Sequence, residues 1–168
     1  MSNTRAKKAL KEKIPVRGYI SCVSHCPYEG QVNPQKVAEI AKHLIEMGCY
    51  EVSLGDTTGK GSSDQTSKVI SECLKFLTPD KLAGHFHDTF QNALNNVKIS
   101  LEYGIKTFDS SVGGLGGCPY SPGAKGNVST EKVNNLLLSM GYKTNLNIAK
   151  IKECNKIALN LKEHGSYE

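Results

Sequence analysis

Two histidines two positions apart, in Gly84-His85-Phe86-His87-Asp88, are the first residues whose spacing suggests chemistry. In a strand, residues i and i+2 share a face, so both imidazoles converge on one point and suit a divalent metal ion. Two solvated or hydrogen-bonded histidines at a strand end are the plainer alternative, and the motif alone leaves both open. The segment from Gly113 to Gly126, GGLGGCPYSPGAKG, holds six glycines, two prolines and Cys118. Such a composition predicts a mobile cover between a strand and the next helix, the alternative being a solvent-exposed linker. A thiol there could serve as proton donor or nucleophile once a nearby cation tunes it. Asn127 ends the loop and offers a carboxamide oxygen of the kind that accepts a hard cation. Asp56, in Ser53-Leu54-Gly55-Asp56-Thr57-Thr58-Gly59, offers a carboxylate to relay protons or orient a histidine, against a turn or helix-cap role. Asp88 and Asp109 read as structural groups or as supports for their neighbours.

These residues need elements to hold them, and the apolar pattern supplies four strand-then-helix units. The expected strands are Val16 to Val23, Glu51 to Leu54, Leu82 to His87 and Thr107 to Val112. The helices that follow them run over Pro34 to Met47, about Asp64 to Leu77, Ala93 to Tyr103 and about Thr130 to Met140. Asn33 suits an N-cap, Pro34 the first helical position, and Gly48 and Gly104 helix ends. A further helix is expected over Asn147 to Lys162. Near the N-terminus, Ala6, Leu10 and Ile14 form the stripe of an amphipathic helix with solvated lysines; an organelle presequence is the other reading of this basic stretch. Short connections between four such units call for parallel strands and right-handed crossovers, so the class is α/β. Pattern alone does not separate an open doubly wound sheet from half of a barrel. In both, chemistry sits at the C-terminal ends of the strands, where Ser24, His25, Cys26, Asp56, Thr57, His85, His87, Asp88, Asp109, Ser110 and Ser111 fall.

With 168 residues, 38% hydrophobic and 22% charged, the chain has the composition of a soluble globular protein of about one domain, 1–168. The formal charge of +5 is spread along the chain and suits an acidic ligand such as a phosphate-bearing cofactor, rather than nucleic acid. No apolar run approaches a membrane span of about 18 residues, and no secretory signal opens the chain, so neither a membrane partner nor secretion is expected. The six cysteines form no CxxC pair and are expected to be reduced, Cys118 alone being read as functional. No GxGxxG or GxxxxGK[ST] loop follows the first strand, which argues against nucleotide binding.

Four segments together resemble the hydroxymethylglutaryl-CoA lyase family: RGYISCVSHCPYEG at Arg17 to Gly30, GCYEVSLGDTTGKG at Gly48 to Gly61, GHFHDT at Gly84 to Thr89, and DSSVGGLGGCPYSPGAKGN at Asp109 to Asn127. The last is the most specific, because the wider group of metal-dependent condensing enzymes and lyases shares the histidine strand but not the cysteine loop. The resemblance implies the C-terminal half of a (β/α)₈ TIM barrel, with the four units equivalent to strands five to eight and a closing helix. It implies His85, His87 and Asn127 as ligands of Mg²⁺ or Mn²⁺, Cys118 as an active-site thiol, and Asp56 and His85 as proton-handling groups. The reaction implied is cleavage of the acyl-CoA substrate 3-hydroxy-3-methylglutaryl-CoA to acetyl-CoA and acetoacetate, a step of leucine degradation and ketone-body formation. The expected compartment is the cytoplasm in a bacterium and the mitochondrial matrix in a eukaryote.

The family's first strand carries an Arg-Asp pair that completes the metal shell and supports the enolate, and an upstream glutamate; this chain contains neither. Strands one to four are therefore expected to be absent, the chain alone inactive, and a homo-oligomer or a missing N-terminal half-barrel its partner. Two other readings remain: a non-catalytic fragment or assembly module, and a metal-dependent barrel hydrolase of the amidohydrolase kind.

Overall fold

The computed structural model describes residues 3–117 and 126–164. Helix α1 (Asn3–Lys11) leads into β1 (Arg17–Ile20), a small antiparallel hairpin of β2 (His25–Cys26) and β3 (Gly30–Gln31), and α2 (Pro34–Glu46). Then come β4 (Glu51–Asp56), α3 (Ser63–Cys73), β5 (Leu82–Phe86), α4 (Ala93–Glu102), β6 (Thr107–Asp109), α5 (Thr130–Ser139) and α6 (Ile148–His164). The four long-range strands form one parallel sheet in the order β1-β4-β5-β6, with Arg17 opposite Glu51, Gly55 opposite His85 and His85 opposite Asp109. This is the expected α/β arrangement. Among the described residues no helix is long and apolar enough to cross a membrane.

Local chemistry explains the element bounds. The Asn33 side chain accepts from the Gln35 amide at 2.9 Å and Pro34 follows it, so α2 starts where the sequence places it. Helix α3 carries a reciprocal capping box between Ser62 and Gln65, which the apolar pattern did not reveal, and it ends at Cys73, short of Leu77. Strand β1 stops at Ile20, before Cys22 turns to φ 58°, and the chain re-enters as the unexpected β2–β3 hairpin. Strand β6 stops at Asp109 because Val112 to Gly114 wind into a 3₁₀ turn around Gly113, φ 67°. Ala6 is buried in α1, but Ile14 lies beyond the helix and is exposed, so the predicted stripe ends at Leu10.

One face of the sheet is apolar and meets the helices. Ile20, Val52, Leu54 and Leu82 pack against Val37, Ala41 and Leu44 of α2 and Val69, Ile70 and Cys73 of α3. Phe86 packs with Ala93, Val97, Val128 and Val133 beneath α4 and α5. Fully burying each such side chain is worth about 1.5–3 kcal/mol. The alternate positions of the same strands face the other way, and among them Arg17, Tyr19, Glu51, Ser53, His85 and Asp109 carry polar groups. That face holds His85 and the polar groups bonded around it.

Candidate active site

Arg17, on the end strand β1, links three side chains of the polar face. Its Nε donates to Glu51 Oε2 at 2.6 Å and its Nη1 to Asp109 Oδ1 at 2.7 Å and to the Tyr19 hydroxyl at 2.5 Å. The other Asp109 oxygen accepts from Ser53 Oγ at 2.8 Å and meets His85 Nδ1 at 3.2 Å. Burial alone would push the Asp109 carboxyl up, but the hydrogen bonds from His85, Arg17 and Ser53 outweigh it and hold the group at about 2. Burial opposes the charge on Arg17, but its hydrogen bonds to Asp109, Glu51 and Tyr19 outweigh that and raise it.

His85 and His87 lie with ring centroids 5.5 Å apart, tilted at 45°. His87 is 5% exposed and its Nδ1 is buried without a hydrogen-bond partner among the described residues. Burial, and next the neighbouring His85 ring, push His87 below the ordinary histidine value, against a hydrogen bond to the Thr57 backbone, and favour the neutral imidazole. Across an isolated antiparallel bridge, Asn127 faces His87. The Asn127 amide nitrogen donates to the Leu115 carbonyl at 3.0 Å, which commits Nδ2 and leaves Oδ1 as the free donor atom. Two imidazoles at the end of β5 and a carboxamide on the β6–α5 connection offer a donor set whose chemistry fits a divalent cation. Among the described residues no group of three His, Cys, Asp or Glu forms a metal site, so any ion here would depend on Asn127 and on ligands beyond the described residues.

The base of the glycine loop is tied down. Asn127 N donates to the Gly116 carbonyl at 3.0 Å, Asp88 N to Gly126 O at 2.8 Å, and Val128 N to Phe86 O at 3.1 Å. Gly126 adopts φ 77°, and a side chain there would collide with the Gly116 carbonyl, so the loop base requires glycine. Lys132 pairs with Asp88 at 2.8 Å beside it. A cavity of about 360 Å³ borders Asn127, between the Gly113–Gly114 turn, Lys132 and Asn155 of α6. Cys118 lies outside the described residues.

Asp56 is placed differently from the histidines. It shares strand parity with Val52 and Leu54, is 1% exposed, and points toward the helix layer. Its oxygens accept from Ser24 Oγ at 2.8 Å and from the Gly61 amide at 2.9 Å. Burial pushes its carboxyl up, opposed by those bonds and by one from the Gly59 backbone. A Cβ on Gly61 would sit 2.8 Å from Ser24 Oγ and 2.9 Å from Asp56 Oδ2, so the loop closes on this carboxylate only because residue 61 is glycine. Asp56 joins the histidine site through its backbone, whose carbonyl accepts from the His87 amide at 3.4 Å.

A profile of the HMGL-like family matches residues 4–157. The chain belongs to the HMGL-like family. Hydroxymethylglutaryl-CoA lyase of Pseudomonas mevalonii is 50% identical over 147 residues, which cover 88% of this chain and 49% of that protein. A cytoplasmic human 3-hydroxy-3-methylglutaryl-CoA lyase is 48% identical over 147 residues, covering 88% of this chain and 40% of that one. The crystal structure of the Brucella melitensis HMG-CoA lyase superposes with a TM-score of 0.93 at 43% identity, over 96% of this chain and 57% of that one. The chain thus spans about half the length of the relatives it matches, and its curled parallel sheet corresponds to about half of their TIM barrel.

In this HMGL-like half-barrel, the sequence singles out His85, His87 and Asn127 as candidates but does not point to Arg17, Glu51 and Ser53, which the fold joins to Asp109 and His85. Their signal was present: polar residues at alternate positions of β1 and β4, where a buried parallel strand is usually apolar on both faces. Nor does the sequence point to Asn96, fully buried on α4, whose amide donates to the Gly61 carbonyl at 2.9 Å and pins the loop that holds Asp56.

Proposed function

We propose that this chain supplies the histidine-bearing half of a hydroxymethylglutaryl-CoA lyase active site, acting on 3-hydroxy-3-methylglutaryl-CoA with Mg²⁺ or Mn²⁺ held by His85, His87 and Asn127. The observation that supports it is His87, buried beside the His85 ring and bridged through its backbone to Asn127, with an Nδ1 that finds no hydrogen-bond partner among the described residues. A lone pair buried without a donor costs about 1–3 kcal/mol, and a cation at that point would remove the cost. The bound ion would supply Lewis-acid polarisation of the substrate's oxygens.

The chemistry is a reverse Claisen cleavage. The tertiary hydroxyl loses its proton and becomes the ketone of acetoacetate, the C2–C3 bond breaks, and its electron pair passes into the thioester enolate. That enolate takes a proton and leaves as acetyl-CoA. His85, at the strand end and partly open to solvent, would hold the ion beside that hydroxyl, and the hydroxyl proton passes to water at the site. Cys118, on the loop whose base is anchored beside Asn127, is the proposed proton donor to the enolate. The Asp56 carboxylate shapes the β4–α3 loop and reaches the reaction through the His87 backbone.

Calorimetric titration with Mn²⁺ tests the metal site. The chain binds the ion, and His87→Ala loses that binding; equal affinity in both removes His87 from the site. Turnover of the chain alone is expected to be far below that of a full-length relative, and to rise when the N-terminal half of such a relative is added. In that reconstituted enzyme Cys118→Ala lowers turnover about tenfold or more and leaves Mn²⁺ affinity unchanged.

A further inference from the structure

Asp109 receives donors from three elements. Oδ1 takes the Arg17 guanidinium from β1, and Oδ2 takes Ser53 from β4 and His85 from β5. A simple staple between strands would not need this convergence, since Arg17 already pairs with Glu51, its register partner on the adjacent strand. Strands β1 and β6 are the two ends of the sheet, with β4 and β5 between them, yet Arg17 and Asp109 meet at 2.7 Å. Glu51 holds the guanidinium from behind, the guanidinium and Ser53 hold the carboxylate, and the carboxylate meets His85.

A carboxylate paired with arginine has only acceptor atoms to offer, so the imidazole nitrogen that meets it must carry the proton. In a neutral ring the proton on Nδ1 leaves the lone pair on Nε2. We propose that Asp109 is the positioning residue of His85: it fixes the tautomer and ring orientation so that Nδ1 donates and Nε2 is presented to the site. The value of that Nε2 lone pair to a cation rests on the reading given under Proposed function, but the tautomer does not. Ser53 is part of the device, because its hydroxyl shares Oδ2 with the imidazole and restrains the carboxylate's rotation.

The test is made on the metal-free chain, labelled with ¹⁵N in its histidines, at about pH 8.5. Long-range ¹H–¹⁵N correlation reads the tautomer of each ring, and His85→Gln identifies the His85 signals. His85 is expected with Nδ1 protonated and Nε2 bare. In Asp109→Ala it should revert to the Nε2-protonated form that free imidazole side chains favour in water. Glu51→Gln, which loosens Arg17 without touching His85, should keep the original tautomer. An Nε2-protonated His85 in the unaltered chain overturns the proposal, and this reading stands even if Asp109→Ala fails to fold. An unchanged tautomer in folded Asp109→Ala, or the same change in Glu51→Gln, overturns it as well. Mn²⁺ titration then separates the two readings. Affinity at least about tenfold weaker in Asp109→Ala supports both. The expected tautomer in a chain that binds no Mn²⁺ upholds Asp109 and overturns the metal site.

Discussion

Cys73 and Cys154 show how place in the fold decides what a thiol does. Cys73 is fully buried at the end of α3, and burial, with a smaller push from Glu72, raises its thiol to about 12. Cys154 is exposed on α6. Iodoacetamide at about pH 8.5 is therefore expected to alkylate Cys154 and spare Cys73 in the folded chain, read by peptide mass spectrometry. Modification of both at equal rates would show that α3 does not hold its packing. The linkage has a definite sign: the folded value lies above the ordinary 9.0, so the fold binds this proton more tightly. That contribution is complete below about pH 9 and is lost as pH rises from 9 toward 12. The histidines obey the same logic of place. His87 is buried, with no partner for its Nδ1 among the described residues, whereas His85, two residues away, is engaged by Asp109.

The β4–α3 loop is the element on which the site's backbone depends. Asp56 accepts from Ser24 and Gly61, and Asn96 reaches across from α4 to the same glycine's carbonyl. Removing the Asn96 side chain leaves that carbonyl unpaired and opens a hole between α4 and the loop, so Asn96→Ala should lower stability by about 1–3 kcal/mol in chemical denaturation. The cap of α3 is a separate contribution. Ser62→Ala removes one half of its capping box and should cost about 1 kcal/mol by the same measurement. Ser62 is exposed and faces no functional group, so Mn²⁺ affinity should not follow that loss. If Ser62→Ala weakened metal binding as much as stability, the loop and the histidine site would be one cooperative unit.

At the scale of the molecule, β1 and β6 end the sheet, and Tyr19 is 54% exposed on its polar face. Helix α6 adds Ile157, Leu159 and Leu161, each about half exposed or more. Unpaired strand edges and apolar helix faces recruit partners, so light scattering coupled to size exclusion should show self-association that grows with concentration. A monodisperse monomer at high concentration would mean that these edges are protected. Much of the architecture was legible in the sequence because its signals are local: Asn33 and Pro34 start α2, alternation marks β5, and Gly104 closes α4 with φ 86°. The histidine pair was legible for the same reason, since strand parity alone puts His85 and His87 on one face. The side on which Asp56 would point was equally available from parity with Val52 and Leu54, but its partners Gly61 and Asn96 come from a loop and a helix whose approach no pattern encodes. The Arg17–Asp109 contact lies furthest from what sequence determines. It spans 92 positions and joins opposite ends of the sheet. Periodicity determined which face each of these residues occupies; only the curl of the assembled sheet brought the two ends of that face within 2.7 Å.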